Sequence, residues 1–403
     1  MQFFVRVFTV FLLVLSLTQL NAQDYLKIYK DAIVVDTHND FLSSAVEKQY
    51  AFDDDLRNKM NIEGLPVQTD LQRILKSGID VQVFSVFCDE NFGKGTAFKR
   101  ANAEIDTLYA IVNRNQDKMM IVTDPQQLQQ AVNQHKLAAM LGVEGGHMIE
   151  DNLDYLDSLY KRGARYMTLT WNNSTSWATS ASDESHDSAL QQLKGLNDFG
   201  RQVVKRMNEL GMMVDLSHVG ERTFWDAIKT TTKPVLVSHS DAYALNPVPR
   251  NLKDDQIKAV AKNGGVIDVN FFSGFVDSNY NKRNRDFLVK HKAERDSLLA
   301  LNMNIDEANG YLYNKYKSEA EAMRPPLSLL IDHIDYLVKL AGVNHVGLGS
   351  DFDGIPSSTQ ELNDVTDMPL IAKELLNRGY SKNDIQKILG GNFVRVFKAN
   401  TKQ

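Results

Sequence analysis

Cysteine is almost absent from this chain: Cys88 is the only one among 403 residues, which excludes an intrachain disulfide. The chain also lacks any block of lysine or arginine, and its formal net charge is −6. It therefore has no electrostatic footprint of the kind that a nucleic-acid partner requires. Repeats, low-complexity tracts and Gly/Ser-rich linkers are absent too, which argues against a second independent domain. Small-molecule chemistry on one large globular domain is the interpretation that remains.

Long hydrophobic runs are equally scarce. The longest, residues 7–17, is closed by the polar Thr18 before it reaches the roughly 20 apolar residues that a membrane span needs. With Arg6 ahead of the run and small residues behind it, this pattern predicts a cleaved signal peptide over residues 1–22. We expect residues 23–403 to form an exported protein, periplasmic or secreted, without a membrane anchor.

Eight short apolar segments rich in β-branched residues recur along the chain, bounded by Gly, Pro or charged residues. They cover residues 32–35, 81–87, 137–143, 165–170, 212–216, 235–238, 266–272 and 345–350. Segments with helical periodicity lie between them. Eight alternating β and α units, with strands that are apolar nearly throughout, predict a parallel sheet closed into a single (β/α)₈ TIM barrel.

One stretch does not fit this alternation. Residues 277–326 are polar and helix-prone, and they predict a helical insertion between the seventh and eighth strands. Such an insertion is either a solvated surface element or a lid that shapes the pocket.

Metal-type side chains follow several of the predicted strands. His38 and Asp40 leave the first strand with a spacing that puts both side chains on one side of an extended chain. Glu144 follows the third strand, and His218 and His239 follow two neighbouring strands. Each of these alone has an ordinary interpretation as a hydrogen-bonded histidine or a surface carboxylate. Because a barrel gathers the carboxyl ends of its strands on one face, their repetition favours a shared metal site.

The donor atoms predict the kind of metal. Mixed imidazole and carboxylate ligands suit zinc, although manganese and cobalt accept the same donors, and a carboxylate such as Glu144 can bridge two cations. Two cations that share a water or hydroxide activate it for attack on a carbonyl. The chemistry expected from this set is hydrolysis of an amide or ester.

Two further residues extend the predicted site. Asp351 is the first carboxylate after the eighth strand and is our candidate for proton transfer, whereas Asp353, next to a glycine, is more typical of a turn cap. Arg250 lies in the loop after His239, where a guanidinium either holds a substrate carboxylate or forms an exposed salt bridge.

The chain resembles the membrane dipeptidase family, also called the renal dipeptidase family, a zinc-dependent branch of the amidohydrolase-like barrels. The resemblance covers nearly all of residues 23–403 and rests on VDTHND, GVEGGH, RYMTLT, GMMVDLSHV, SHSDAY, PRN, HVGLGSDFDG and GGNFVRVF. It implies two zinc ions per chain. One would be bound by His38 and Asp40 and the other by His218 and His239, with Glu144 and a water or hydroxide bridging both.

The resemblance also implies roles for the two remaining candidates. Asp351 matches the general acid/base of the family, and Arg250 matches the arginine that binds the terminal carboxylate of the substrate. The implied reaction is hydrolysis of the peptide bond of dipeptides, often with tolerance of a D-residue at the C-terminal position. The resemblance is also the only basis for expecting a homodimer.

One position departs from the family pattern. Trp171 stands where family members usually have a histidine that contacts the substrate and polarises the scissile carbonyl. Either Asn172 or Asn173 donates a hydrogen bond in its place, or Trp171 forms the wall of a differently shaped pocket, or Trp171 only packs. Two alternative functions stay open on this evidence: hydrolysis of another amide, ester or lactone, and a catalytically silent peptide-binding barrel.

Overall fold

The computed structural model describes residues 24–186 and 195–402. Within them, parallel strands form one sheet in the order β1-β2-β4-β5-β6-β7-β8-β9, and β3 pairs with β4 off this path. The strands are β1 (Val35–Asp36), β2 (Val81–Phe87), β3 (Met119–Ile121), β4 (Leu137–Glu144), β5 (Ala164–Thr168), β6 (Met213–Asp215), β7 (Leu236–Val237), β8 (Val266–Val269) and β9 (Val346–Leu348).

Contacts between the first and last strands bring the sheet to closure. The backbone N–H of Thr37 donates to the carbonyl oxygen of Leu348 at 3.1 Å, and Asn39 pairs with Phe352 in a parallel bridge. The predicted (β/α)₈ barrel is therefore confirmed. All eight predicted segments supply a strand of the ring, and most of these strands are shorter than the apolar segments that predict them.

One strand, β3, is not predicted by the sequence pattern. Met119 pairs with Leu137 at the amino end of β4. Strand β5 pairs with β4 only from Leu141 onward, so β5 does not cover this end of β4. Three residues are too few to show a period of two, and only Met119 of this strand is fully buried. The strand therefore forms because an edge of β4 is available, which only the folded sheet provides.

Helices connect the strands. No helix in residues 24–186 and 195–402 is long and apolar enough to span a membrane. The leader predicted over residues 1–22 lies outside the described residues. The α-helices with defined bounds are Phe41–Glu47, Leu71–Ser77, Ala97–Arg114, Pro125–Asn133, Leu153–Lys161, Ala181–His186, Asp198–Leu210, Glu221–Thr230, Asp254–Asn263, Ser273–Val276, Tyr280–Lys290, Lys292–Ala300, Ile305–Lys315, Lys317–Met323, Leu327–Ala341, Pro369–Asn377, Lys382–Gln386 and Asn392–Asn400.

Strand residues divide into two hydrophobic clusters because successive side chains point to opposite faces. In β2, Val81 and Val83 join the cluster inside the barrel, whereas Phe84 and Val86 join the larger cluster between the sheet and the helices. Helix Asn392–Asn400 adds two phenylalanines to the inner cluster. The barrel therefore has a packed apolar interior that supports its polar carboxyl-terminal face.

The segment between β8 and β9 is helical, as the sequence predicts. Asn314 of this segment donates a hydrogen bond to the carbonyl oxygen of Gly64 at 2.9 Å, and Ser357 donates to the hydroxyl of Tyr280 at 2.8 Å. Gly64 lies between helices Phe41–Glu47 and Leu71–Ser77, and Ser357 lies in the loop after β9. Because the loop that carries Ser357 leaves the carboxyl end of β9, the insertion contacts the mouth of the barrel.

Gly142 in β4 provides the space for the ring of Tyr166, because a Cβ atom at position 142 would lie 2.0 Å from the Cζ atom of that ring. We expect Gly142→Ala to lower the free energy of unfolding by about 1–3 kcal/mol, as overpacking of a core does. Urea denaturation measures this change. Gly93→Ala is the control, since no atom lies within 4 Å of its Cβ position. Equal losses in the two variants would contradict the role given to Gly142.

Candidate metal centre

The six side chains that the sequence marks at strand ends come together at the carboxyl-terminal face of the barrel. Ligand atoms of His38, Glu144 and His239 lie within 4.8 Å of one another, and so do those of His38, Asp40 and Asp351. None of the six is more than 9% exposed. They follow or end the strands β1 (His38, Asp40), β4 (Glu144), β6 (His218), β7 (His239) and β9 (Asp351).

Glu144 lies at the centre of this group. Its Oε1 atom is 2.9 Å from Nε2 of His218 and 3.5 Å from Nε2 of His239. Its Oε2 atom is 3.2 Å from Nε2 of His38 and accepts a hydrogen bond from Ser85 at the same distance. The two oxygens of one carboxylate therefore face two different sets of imidazoles.

Two aspartates complete the His38 side of the centre. Oδ2 of Asp40 lies 3.5 Å from Nε2 of His38, and Oδ1 of Asp351 lies 4.0 Å from the same nitrogen. The other oxygen of Asp351 accepts a hydrogen bond from the side chain of Asn270 at 2.8 Å. A Cβ atom at Gly354 would lie 2.1 Å from Oδ2 of Asp40, so this position has no room for a side chain.

The backbone turns sharply at two of these residues. His218 and Asp351 both have a φ of 62°, which places them in the left-handed region that residues other than glycine rarely adopt. Such strained positions persist where the surrounding structure holds them, and they concentrate at functional sites.

Hydrogen bonds fix which ring nitrogen of His38 faces the centre. Nδ1 of His38 lies 2.9 Å from the hydroxyl of Tyr166, and that hydroxyl donates to the carbonyl oxygen of Thr37 at 3.0 Å. Because the hydroxyl proton is used in that bond, the oxygen accepts a proton from Nδ1 of His38. The Nε2 atom is then the one that faces Glu144.

The other two imidazole rings are also oriented by a hydrogen bond at Nδ1. Nδ1 of His239 lies 2.7 Å from the hydroxyl of Ser238, which donates to the buried Asp215 at 2.6 Å. Nδ1 of His218 lies 3.1 Å from the side-chain oxygen of Asn172. Both rings therefore donate through Nδ1 and direct Nε2 toward Glu144, the arrangement that metal-binding histidines adopt.

Electrostatics agree with a cation at this position. Burial lowers the pKa of His218 to about 4 and holds the pKa of His239 well below its usual value. Their Nε2 atoms lie only 3.0 Å apart, so two lone pairs face each other across a gap. Burial also opposes protonation of His38, but neighbouring Tyr166 and the carboxylates outweigh it and hold the pKa of His38 well above its usual value.

The donor set therefore fits a divalent cation on each side of Glu144. On one side, the facing lone pairs of His218 and His239 need a positive charge between them. On the other side, carboxylates of Asp40 and Asp351 lie close to His38, and Oδ1 of Asp40 is buried without a hydrogen-bond partner. Imidazole nitrogens and carboxylate oxygens without thiolates are typical of catalytic rather than structural zinc.

Arg250 lies against the back of the His239 loop. Its guanidinium donates to the hydroxyl of Ser240 at 3.0 Å and to the carbonyl oxygen of His239 at 3.2 Å, and it lies 5.1 Å from the centre of the Phe275 ring. Among the described residues, no carboxylate lies within 4.0 Å of the Arg250 guanidinium. The exposed salt bridge that the sequence allowed for Arg250 therefore does not form among these residues. Arg250 and His218 both line a cavity of ≈ 220 Å³.

Trp171 and Asn172 lie in the loop that follows β5, next to the centre. The Trp171 ring contacts Phe87 edge to face with centroids 4.9 Å apart, and its centroid lies 6.5 Å from that of His218. Asn172 contacts His218 directly. Trp171 therefore has a packing partner and also borders the metal-type residues, while the oxygen of Asn172 is already engaged.

The residues that orient the imidazoles and Asp351 were not predicted from the sequence. Tyr166 shows no signal, because an aromatic residue within a strand is most often core. Asp215 does carry one, since an ionisable residue lies within an otherwise apolar strand. Asn270, at the end of β8, also follows a strand in the manner of the predicted ligands.

Solved structures share this fold. The probable dipeptidase PvdM from Pseudomonas aeruginosa aligns with a TM-score of 0.76 at 21% identity, over 95% of this chain and 98% of that one. A metallo peptidase from Rhodobacter sphaeroides, liganded with a phosphinate mimic of the dipeptide L-Ala-D-Ala, aligns with a TM-score of 0.73 at 20% identity. That alignment covers 92% of this chain and 100% of the other.

Sequence comparison gives the family. An uncharacterized dipeptidase of Schizosaccharomyces pombe is 34% identical over 397 residues, which cover 94% of this chain and 83% of that protein. Residues 22–403 match the family model described as membrane dipeptidase (peptidase family M19). The resemblance seen in the sequence is thus confirmed, and this chain belongs to the membrane dipeptidase family, peptidase family M19, as a metal-dependent hydrolase of peptide bonds.

Proposed function

We propose that this dipeptidase holds two zinc ions, with His38 and Asp40 binding one, His218 and His239 binding the other, and Glu144 binding both. The observation that carries this proposal is the convergence of three Nε2 atoms on the two oxygens of one buried carboxylate. When bound, the ions would lower the pKa of a shared water molecule and polarise the carbonyl of the peptide bond.

Asp351 is the residue we propose for proton transfer. Burial raises the pKa of this carboxyl group well above its usual value, which favours a group that exchanges protons during the reaction. The hydrogen bond from Asn270 fixes the group through Oδ2, and Oδ1 is left facing His38 and the centre. Asp351 would take a proton from the attacking water and deliver it to the nitrogen of the leaving amine.

Arg250 is the residue we propose for substrate selection. It lines the same cavity as His218, burial lowers its pKa, and its Nε atom is buried without a hydrogen-bond partner. A partly buried cation with an unused donor is suited to a carboxylate. A free C-terminal carboxylate held there would place the only peptide bond of a dipeptide near the centre.

Trp171 is proposed as a wall of the substrate pocket. Its ring contacts Phe87 on one side and borders His218 on the other, which is the position of a pocket wall. Polarisation of the carbonyl would then depend on the ions, with the free amide N–H group of Asn172 as the candidate second donor. A panel of dipeptides, N-acyl amino acids and lactones separates a dipeptidase from a hydrolase of other amides or esters.

We also propose that the protein is exported and that residues 23–403 form the mature enzyme. The support is the charged start, apolar run and small residues of positions 1–22. N-terminal sequencing of protein recovered outside the cytoplasm would begin at Gln23 if this is right and at Met1 if it is wrong. A homodimer stays a prediction that rests on the family resemblance.

Removal of metal should abolish turnover, and removal of the proton carrier should lower turnover while the metal stays bound. We expect a chelator to stop dipeptide hydrolysis and zinc to restore it. Asp351→Asn should lower kcat by about 10²–10⁴, the usual contribution of general acid/base catalysis, while zinc content is kept. Steady-state kinetics with metal analysis measures both.

Asp353→Asn is the matched control for Asp351→Asn. Asp353 leaves the same strand, but its Oδ1 atom accepts the backbone N–H of Gln68 at 2.7 Å, and asparagine keeps that acceptor. This variant should retain turnover. Unchanged turnover in Asp351→Asn, or equal losses in the two variants, would contradict the role given to Asp351.

Arg250→Gln should weaken recognition of a free carboxylate. We expect kcat/KM for a dipeptide to fall about 10–100-fold, because a hydrogen bond to a charged group contributes about 1.5–3 kcal/mol. The corresponding dipeptide amide is the control substrate, and its kcat/KM should change little. If the variant lost activity equally on the acid and the amide, Arg250 would be structural rather than a carboxylate ligand.

A further inference from the structure

The three imidazoles at the centre are not held equally firmly. Tyr166, which holds His38, is fully buried and is itself fixed by its bond to Thr37. Ser238, which holds His239, is fully buried and is fixed by Asp215. In both cases the partner of the ring lies inside the barrel and has a second bond that keeps it in place.

His218 is different, because its ring is held from outside the barrel. Asn172 is an exposed residue, and apart from the bond to Nδ1 of His218 its side chain makes no hydrogen bond to the described residues. Its backbone carbonyl accepts a hydrogen bond from Ser180 at 2.6 Å. One exposed amide on a tethered loop therefore orients this ring.

The same loop also fixes the backbone of His218. The carbonyl oxygen of His218 accepts hydrogen bonds from the hydroxyl of Thr170 at 3.2 Å and from the backbone N–H of Ala181 at 2.8 Å. These bonds brace a residue whose φ of 62° is strained. The backbone of His218 thus stays in place without Asn172, and only the orientation of its ring depends on that side chain.

We propose that Asn172 is a positioning residue for the metal bound by His218 and His239. Its loss lowers the affinity for this metal and leaves the affinity for the metal bound by His38 and Asp40 unchanged. The inference rests on the proposed two-zinc centre. Asn172 accepts the Nδ1 proton, which keeps the lone pair of Nε2 free and aimed at Glu144. Loss of such an outer partner typically lowers metal affinity 10–100-fold.

This role differs from the contact with substrate that the sequence suggests for Asn172. Its oxygen is engaged by His218, so only its amide N–H group remains for a substrate. Replacement by leucine removes the acceptor and the N–H group at similar size, whereas replacement by aspartate keeps an acceptor and removes the N–H group. Zinc affinity in the two variants therefore separates positioning from substrate binding.

The test is competition of each purified full-length variant with a fluorescent chelator for Zn²⁺. Wild-type protein should bind two zinc ions. Asn172→Leu should bind one with unchanged affinity and the other 10–100-fold more weakly, and Asn172→Asp should restore the second. Asn173→Leu is the matched control, since Asn173 is the next residue of the loop and makes no hydrogen bond to the three imidazoles.

Thermal melting of the metal-free proteins accompanies the titration and should show the same Tm for wild type and Asn172→Leu. Two zinc ions bound by Asn172→Leu with wild-type affinity would overturn the inference and leave the proposed centre intact. Equal weakening of both ions, with a lower Tm, would show a structural role and overturn it as well. Fewer than two zinc ions on the wild type would instead refute the proposed function.

Discussion

The contact between Glu144 and three imidazole nitrogens is the interaction on which the rest of the site depends. His38, His218 and His239 lie far apart in the chain, yet each of their Nε2 atoms lies within 3.5 Å of one of the two carboxylate oxygens of Glu144. Only a closed parallel barrel delivers residues from β1, β4, β6 and β7 to one point, because it gathers the carboxyl ends of its strands on one face. The fold is therefore a means of concentrating donor atoms.

Gathering these donor atoms in one place lowers the stability of the metal-free protein. Buried carboxylates and facing lone pairs are costly unless a charge offsets them. The protein supports this arrangement through strained turns at His218 and Asp351 and through hydrogen bonds that reach from the barrel interior to the rings of His38 and His239. Asp215 contributes without touching the centre, since it fixes Ser238, which in turn orients His239. The proposed metal binding would therefore be coupled to folding through the same groups.

Much of this could be read from the sequence, and the reasons are physical. Apolar β-branched segments report buried parallel strands, and a polar residue directly after such a strand must lie at the mouth, so the six strand-end residues could be named. Side-chain partners could not: Tyr166 meets His38 across 128 positions of the chain. The strand Met119–Ile121 was missed because it depends on an edge of β4. That Arg250 has no carboxylate partner among the described residues also required the fold, since the sequence allows a salt bridge equally well.

Anomalous X-ray diffraction from crystals of the zinc-loaded protein, recorded on both sides of the zinc absorption edge, would locate metal ions that share Glu144. We expect two anomalous peaks, one beside His38 and Asp40 and one beside His218 and His239, with the carboxylate of Glu144 between them. A single peak, no peak, or peaks away from Glu144 would contradict this expectation.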